Sequence, residues 1–221
     1  MTVAGNIRSP ARGAADATSP LVVIVDDDEG MREGLQDLLR SVGLDAVAFG
    51  STGDLLAASL PDRPGCLVLD VRLPGASGLD LQSRLAATGN RLPIIFMTGH
   101  GDIPMSVRAM KAGALDFLTK PFRDQDMLDA IAAAIARDGV RRAESAGTAE
   151  LAGLAATLTA REAEVMQHVV QGLLNKQIAH ALGISEITVK IHRGNVMRKM
   201  QAGSVADLVR KAEALKVPSG G

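Results

Sequence analysis

Carboxylates, a hydroxyl and an ammonium group follow four apolar runs of this sequence, at the point where each run ends. The acidic run Asp26–Asp28 comes after LVVIV, and Asp70 comes after CLVL. Thr98 follows IIFM, and Lys120 follows ALDFLT. Crowded carboxylates repel one another and favour a bound cation, and Mg²⁺ or Mn²⁺ suits them because both take oxygen ligands. These residue types predict metal-assisted phosphoryl chemistry.

Asp70 is the predicted nucleophile, because it stands alone at the end of its run. A metal ion held by carboxylates, together with the Lys120 ammonium and the Thr98 hydroxyl, would neutralise phosphoryl oxygens as they are transferred. A carboxylate that attacks a phosphoryl group forms an aspartyl-phosphate. We therefore expect a covalent phosphoryl adduct on Asp70.

Five short runs of β-favouring residues alternate with stretches long enough for amphipathic helices. The predicted strands are Leu21–Val25, Asp45–Phe49, Cys66–Leu69, Pro93–Met97 and Ala114–Leu118. Short apolar strands that alternate with helices favour an α/β fold in which a parallel sheet is covered on both faces. In such sheets the ligand site lies beyond the carboxyl ends of the strands. The fold therefore predicts that the four groups meet.

The second half of the sequence predicts a small all-α domain. Thr159 and Glu162 form a capping-box pattern at the start of a first helix, which Gly172 ends. A second helix, near 176–182, is separated by a short glycine-containing turn from a longer basic helix, near 186–200. Two helices joined in this way form a helix-turn-helix unit. A further helix, VADLVRKAEAL, is expected to pack beneath them.

Charge and composition divide the chain in the same way. Residues 154–221 carry nine Lys or Arg and five Asp or Glu, whereas the rest carries 15 and 20. Opposite charge balances favour two separate roles. No apolar run approaches the roughly 18 residues of a membrane helix, so a membrane partner is not expected. The first 20 residues lack the apolar stretch of a secretory signal, which favours the cytoplasm.

The segments VVIVDDDEGMREGL, CLVLDVRLPGASGLDL and IIFMTGHGDIPMSVRAMKAGALDFLTKPF resemble the receiver domain of bacterial two-component response regulators. The resemblance implies a five-stranded, doubly wound, flavodoxin-like sheet. It also implies that Asp70 accepts phosphate from a sensor histidine kinase. The implied metal ligands are Asp27, Asp70 and the backbone carbonyl of Arg72, with Asp26 acting through water.

The same resemblance assigns roles to four residues on later strands and loops. Lys120 would pair with the phosphoryl group, and Pro121 would follow it in a cis peptide bond. Thr98 and Phe117 are similar to the family's switch pair: the Thr98 hydroxyl moves to the new phosphoryl oxygens and Phe117 rotates into the space it leaves. An ordinary core position remains the alternative for Phe117.

The segment LTAREAEVMQHVVQGLLNKQIAHALGISEITVKIHRGNVMRKM resembles the LuxR-type DNA-binding domain. With the receiver, the whole chain resembles the FixJ and NarL group of transcription regulators. Lys190 and Ile191 would then approach base edges of double-stranded promoter DNA. The residues that would hold the DNA backbone are Thr188, Arg193 and Lys199. Lys199 and Arg198 could equally form a solvated helix face, and Gly194 departs from relatives that carry a basic reader there.

The implied organisation is a flexible tail at 1–20, a receiver at 21–138, a linker at 139–156 and a LuxR-type helix-turn-helix domain at 157–217. We expect phosphorylation to drive homodimerisation and promoter binding, with RNA polymerase as a further partner and no enzymatic turnover by the chain.

Two other functions remain open at this point. Asp26 and Asp28 form a D-x-D pattern, which is also found in phosphohydrolases with an aspartate nucleophile on the first strand. Asp26 would then attack the substrate and Asp28 would act as the general acid. The small first domain leaves no room for a substrate cap, which counts against this hypothesis. The other possibility is a protein-interaction module whose second half binds a partner helix.

Overall fold

The computed structural model describes residues 19–74, 77–99 and 103–215, with backbone alone at 103 and 104. The chain forms two compact units, which meet in sequence at Arg141 and Arg142. The predicted tail lies outside the described residues except for Ser19 and Pro20. Within the described ranges, no helix is both long and apolar enough to cross a membrane.

Among the described residues, five strands and five helices alternate through residue 156, and four further helices follow. The strands are β1 (Leu21–Val25), β2 (Asp45–Phe49), β3 (Gly65–Asp70), β4 (Ile94–Thr98) and β5 (Asp116–Thr119). The alternating helices are α1 (Glu29–Ser41), α2 (Thr52–Ala57), α3 (Gly78–Ala87), α4 (Ile103–Lys111) and α5 (Asp124–Ala156). The remaining helices are α6 (Ala160–Val170), α7 (Asn175–Leu182), α8 (Glu186–Lys199) and α9 (Val205–Ala214).

The sheet is entirely parallel, with strand order β2-β1-β3-β4-β5. The predicted fold class is confirmed. The order reverses between β1 and β3, whose last paired residues are Val25 and Leu69. A crevice opens beyond the strand ends at such a reversal, and ligands of doubly wound sheets bind there. Asp26 and Asp70 stand at this point.

Alternate residues of each strand enter one of two apolar cores. One core packs the sheet against α1 and α5, through residues such as Leu39 and Ile131. The other packs it against α2, α3 and α4, through Leu55, Leu81 and Ala109. Because both faces are covered, the strands are apolar at nearly every position. Polar groups therefore reach the functional edge only where strands end.

Three strands have boundaries that differ from the sequence prediction. β4 is shifted forward by one residue, to Ile94–Thr98. β3 is longer by one residue at each end, so that Asp70 itself belongs to the strand and pairs with Met97. β5 begins at Asp116 rather than Ala114. The Ala114 N–H donates to the Ala109 carbonyl at 3.0 Å, which keeps this residue in the turn that ends α4. Local capping thus determines where the strand can begin.

Helix α5 is 33 residues long and continues to Ala156, so the segment predicted as a linker, 139–156, is helical. Its buried residues Met127, Ala130, Ile131 and Ala134 recur at helical spacing and face the sheet. The exact limits of the two domains stay predictions.

The second unit has an apolar core lined by residues of α6 to α9, among them Val165, Ile178, Val196 and Leu208. Thr159 and Glu162 form the predicted capping box of α6. Gly183 ends α7 in the left-handed region, at φ 65°, where glycine avoids the steric cost of a side chain. The chain then turns into α8, so the predicted helix-turn-helix arrangement is present.

Gly78 is expected to be intolerant of substitution, because α3 begins against β3. A Cβ at this residue would lie 2.5 Å from the Asp70 carbonyl oxygen, whereas a Cβ at Gly34, within α1, would meet nothing within 4 Å. We expect Gly78→Ala to destabilise the first unit by about 1–3 kcal/mol. Gly34→Ala should stabilise it by up to about 1 kcal/mol. Urea unfolding followed by circular dichroism checks this, and equal midpoints for the two variants would contradict it.

Candidate functional site

Three predicted site residues meet at the carboxyl edge of the sheet. The Lys120 Nζ donates to Asp26 Oδ2 at 2.6 Å and to Asp70 Oδ2 at 2.7 Å. Asp26 directly follows β1, Asp70 ends β3 and Lys120 directly follows β5. The two carboxylates are buried, and the lysine side chain is largely so. The sheet therefore holds one ammonium group between two carboxylates that are 44 residues apart in sequence.

Burial and charge act in opposite directions on these groups. Burial raises the pKa of Asp26, because it disfavours the carboxylate, and the hydrogen bond from Lys120 offsets only part of this effect. Burial by itself lowers the pKa of Lys120. Its hydrogen bonds to Asp26 and Asp70 outweigh that effect and leave its pKa above the ordinary value. The lysine is therefore a fixed positive charge at neutral pH.

An acidic cluster beside the lysine has the donor set of a divalent-cation site. Asp26, Asp27 and Asp70 each bring one carboxylate oxygen within 4.8 Å of the others. Asp27 is exposed, whereas the other two are buried. All three donors are oxygens, as Mg²⁺ and Mn²⁺ prefer, and the exposed carboxylate leaves one side open to water and phosphate. The residues present fit such an ion.

Hydrogen bonds from backbone N–H groups explain why Asp26 and Asp28 take different positions. Asp26 Oδ1 accepts from the Asp28 N–H at 3.0 Å, which turns that carboxylate into the site. Asp28 Oδ1 accepts from the Met31 N–H at 3.2 Å and so caps α1. A buried Asp26 and a helix-capping Asp28 do not suit the attacking and acid roles of a phosphohydrolase. This arrangement disfavours that hypothesis.

Arg32 is a site residue that the sequence reasoning missed. Its guanidinium donates to the backbone carbonyls of Asp26 at 2.8 Å and Asp27 at 3.0 Å. Both carbonyls lie in the loop that carries two of the clustered carboxylates. The only sequence signal is an arginine one turn into the helix that follows the acidic run. We infer that Arg32 positions this loop.

Asp70 is held at both oxygens. Its Oδ1 accepts from the Arg72 backbone N–H at 2.9 Å, while its Oδ2 accepts from Lys120. Arg72 therefore lies beside the cluster, and the role of its carbonyl as a metal ligand stays a prediction.

The predicted switch residues lie on the two neighbouring strands. Thr98 ends β4 and is fully buried, and its carbonyl accepts from the Lys120 N–H at 2.6 Å. Phe117, on β5, is half-buried and packs against the core that contains α3 and α4. The Lys120–Pro121 peptide bond is cis. Both interpretations of Phe117, switch and core, are compatible with this placement.

Helix α8 carries all five predicted DNA-contacting residues, in different surroundings. Lys190 and Ile191 are exposed. Thr188 is half-buried in the first turn, where its N–H donates to Ser185 Oγ at 3.1 Å. An Arg193 guanidinium nitrogen donates to Asn175 Oδ1 at 2.6 Å, which ties α8 to the start of α7.

The ammonium group of Lys199 is hydrogen-bonded within its own unit. Its Nζ donates to Glu162 Oε2 at 2.6 Å and to the Thr157 carbonyl at 2.9 Å. The hydrogen bond from Lys199, together with that from the Thr159 N–H, lowers the pKa of Glu162 to about 2. A contact from this lysine to the DNA backbone would have to compete with these bonds.

Two protein-family models match the chain. A model described as the response regulator receiver domain matches residues 22–132, and one described as bacterial regulatory proteins of the luxR family matches residues 156–212. The chain belongs to the response regulators with a LuxR-type DNA-binding domain. The matched ranges contain the acidic cluster and α8, respectively, so each candidate site lies in the domain that the family assigns to it.

Individual relatives agree with this assignment over nearly the whole length. Nodulation protein W of Bradyrhizobium diazoefficiens is 57% identical over 201 residues, which cover 91% of this chain and 88% of that protein. The transcriptional regulatory protein FixJ of Azorhizobium caulinodans is 45% identical, with coverage of 86% and 90%. The solved structure of the response regulator StyR is 48% identical with a TM-score of 0.79, over 89% of this chain and 99% of that chain.

The regulator is thus a two-component, DNA-binding transcription regulator whose activity responds to phosphorylation. A receiver domain implies a sensor kinase as the partner, and the luxR-type domain implies DNA. The family is one of transcription regulators and is not a known class of enzyme.

The Glu162–Lys199 pair should make the second unit sensitive to acid. Because the pKa of Glu162 falls from 4.5 to about 2 on folding, its stabilising contribution is present above about pH 4.5 and is lost as the pH falls towards 2. We expect Glu162→Gln to lower stability at pH 7 and to flatten this dependence. Urea midpoints measured by circular dichroism between pH 3 and 7 test it. Glu164→Gln, an exposed carboxylate on the same helix, should keep the wild-type profile; a matching flattening there would contradict the assignment.

Proposed function

We propose that Asp70 is the residue that receives the phosphoryl group from the histidine of a sensor kinase. The observation that carries this proposal is the double contact of Lys120 with Asp26 and Asp70. Asp70 Oδ attacks phosphorus, the P–N bond to the kinase histidine breaks, and the imidazole leaves. Asp26 is fully buried beside it, so Asp70 is the better placed of the two carboxylates to meet a donor.

Lys120 is suited to stabilise the product. While Asp70 is a free carboxylate, its Oδ2 holds the ammonium group. After transfer, that group can turn to a phosphoryl oxygen while it keeps its bond to Asp26. A divalent cation bound by Asp27, Asp70 and the Arg72 carbonyl, with Asp26 acting through water, would neutralise charge on the phosphoryl oxygens.

The phosphoryl group adds about 1.5 to 2 negative charges at a buried strand end. We propose that the Thr98 hydroxyl hydrogen-bonds its oxygens and that Phe117 follows into the space released. Both residues stand on strands that flank α4, whose Val107 and Met110 are exposed. These movements would shift the receiver towards a second conformation that the phosphoryl group stabilises. In that conformation the α4–β5 surface would be self-complementary, so that two receivers pair.

Pairing would bring two α8 helices to half-sites about 34–36 Å apart on one face of promoter DNA. We propose that Lys190 and Ile191 contact base edges there and that Thr188, Arg193 and Lys199 hold the backbone. A regulator bound in this way would act on RNA polymerase in the cytoplasm, without catalytic turnover of a metabolite.

Replacing Asp70 tests the acceptor directly. Wild type incubated with Mg²⁺ and acetyl phosphate should gain one phosphoryl group by intact-mass measurement, and Asp70→Asn should gain none. Asp28→Asn is the matched control, because asparagine keeps the helix cap and should leave phosphorylation unchanged. An adduct on Asp70→Asn, or its loss in Asp28→Asn, would contradict the proposal and favour the Asp26 phosphohydrolase hypothesis.

Lys190 should separate DNA recognition from phosphorylation. Lys190→Ala is expected to weaken specific DNA binding by roughly 5- to 150-fold, the effect of losing one good base contact, while the yield of phosphoprotein stays at the wild-type level. Fluorescence anisotropy with a promoter fragment and intact mass give the two readings. Unchanged affinity at low and high salt would remove Lys190 from the interface.

A further inference from the structure

Helix α8 has two opposite faces with different chemistry. Val189 and Val196 are seven residues apart on the face that enters the core of the second unit. Because 3.6 residues make one turn, positions spaced four, three and four apart form the opposite face. The residues of this outer face are Ile187, Ile191, Gly194 and Arg198.

Two large apolar side chains of this outer face point to solvent. Ile187 is 75% exposed and Ile191 is 59% exposed. Single exposed apolar residues are common on protein surfaces and need no explanation. Two isoleucines four residues apart on one helix form a continuous patch, and Lys190 adds a positive charge at its edge. This patch is apolar in the middle and basic at the side.

Gly194 extends the patch by one turn and has no structural reason to be glycine. Glycine is among the poorest residues in the interior of a helix. A Cβ built on Gly194 meets nothing within 4 Å, and its φ lies outside the positive range. Neither packing within the unit nor backbone conformation therefore requires it. At an exposed position on a helix, glycine allows a ligand to approach the backbone closely.

The occupant that fits this surface is the major groove of DNA. The groove admits one α-helix, and the luxR-family match covers all of α8. On the major-groove edges of the bases, the C5-methyl group of thymine is the apolar feature, and side-chain methyl groups read it by contact. Lys190 gives the edge of the patch a positive charge, which favours the approach of this surface to the polyanionic duplex.

We propose that Ile187, Ile191 and Gly194 form a thymine-methyl-reading surface, with Gly194 allowing the helix to approach the bases closely. The inference rests on the proposed DNA contact of α8 and adds a reader, Ile187, together with a base preference. The sequence specificity of this regulator is then carried in part by apolar contacts, whose strength depends little on salt.

The test begins with the full-length, phosphorylated regulator and selection of its preferred site from random duplex DNA. Each thymine of the selected site is then replaced by deoxyuridine, which keeps base pairing and removes only the methyl group. Loss of a read methyl should weaken binding about fourfold, the effect of exposing one buried methyl-sized group. At least one thymine per half-site should behave in this way, and the others serve as internal controls.

Ile187→Ala tests whether Ile187 is the residue that contacts the thymine methyl group. The variant should bind the selected site several-fold more weakly, and deoxyuridine at the read position should cause no further loss. Val140→Ala is the matched control, because Val140 is a branched side chain, 61% exposed on α5, and it should change neither affinity nor the methyl dependence. Independent, additive losses from Ile187→Ala and deoxyuridine would overturn the assigned contact.

Gly194→Ala should change stability and DNA affinity in opposite directions, which distinguishes a role in DNA binding from a role in folding. Alanine should raise the urea midpoint of the second unit, because it favours the helix, and should lower affinity for the selected site by obstructing the close approach. Unchanged affinity would overturn the role given to Gly194.

The methyl-reading inference and the proposed DNA contact of α8 are overturned by different results. A selected site in which no thymine depends on its methyl group overturns the methyl-reading inference alone. Failure of the phosphorylated wild type to enrich any sequence overturns recognition of DNA by α8, and the inference with it.

Discussion

The contact of one ammonium group with two buried carboxylates is the interaction on which the arrangement of the acidic edge depends. Lys120 lies between Asp26 and Asp70, and each of the three residues stands at the end of a different strand. A buried carboxylate without a partner is costly, whereas a paired one is tolerated. The lysine therefore allows two carboxylates to remain in a covered position, where their geometry is fixed by the sheet register. It also supplies the positive charge that the proposed phosphoryl group on Asp70 would need.

The need to hold these carboxylates in place also explains the close contacts of the residues around them. Gly78 has no room for a side chain because α3 begins against the carbonyl of Asp70. Arg32 holds the two carbonyls of the loop that carries Asp26 and Asp27. These contacts limit how far the acidic cluster can spread under its own repulsion. A site proposed to bind a cation and a phosphoryl group in turn would thereby be preorganised for both.

Most of the fold could be predicted from the sequence, because it rests on short-range periodicity. Continuous apolar runs indicated buried parallel strands, and the parallel topology alone brought Asp70 and Lys120 to one edge. The boundary of β5 was wrong by two residues, since the backbone bond from Ala114 to Ala109 is a property of the α4 turn rather than of strand propensity. The prediction that one carboxylate would be the nucleophile required chemistry as well as topology.

Long-range partners of basic residues could not be predicted. Lys199 and Lys190 belong to the same helix and carry the same charge, yet Lys199 is paired with Glu162, 37 residues earlier, while Lys190 is exposed. Nothing in the spacing of α8 distinguishes them, because an ion pair depends on where a second helix passes. Arg193 and Asn175 illustrate the same point. The basic residues of α8 therefore differ in whether they also form bonds within the domain, and the tertiary structure is needed to tell which of them do so.

The two sites differ in whether stability and function can change independently. On α8 the residues that maintain the core, such as Val189, and those proposed to read DNA, such as Ile187, occupy opposite faces. Substitutions on the outer face can alter base preference while the core remains intact. At the acidic edge this separation is absent, because Asp26 and Asp70, which are proposed to carry the site chemistry, also share the ion pair that makes their own burial tolerable. The physical expectation is a receiver site that tolerates little variation, joined in one chain to a reading surface that can diverge readily.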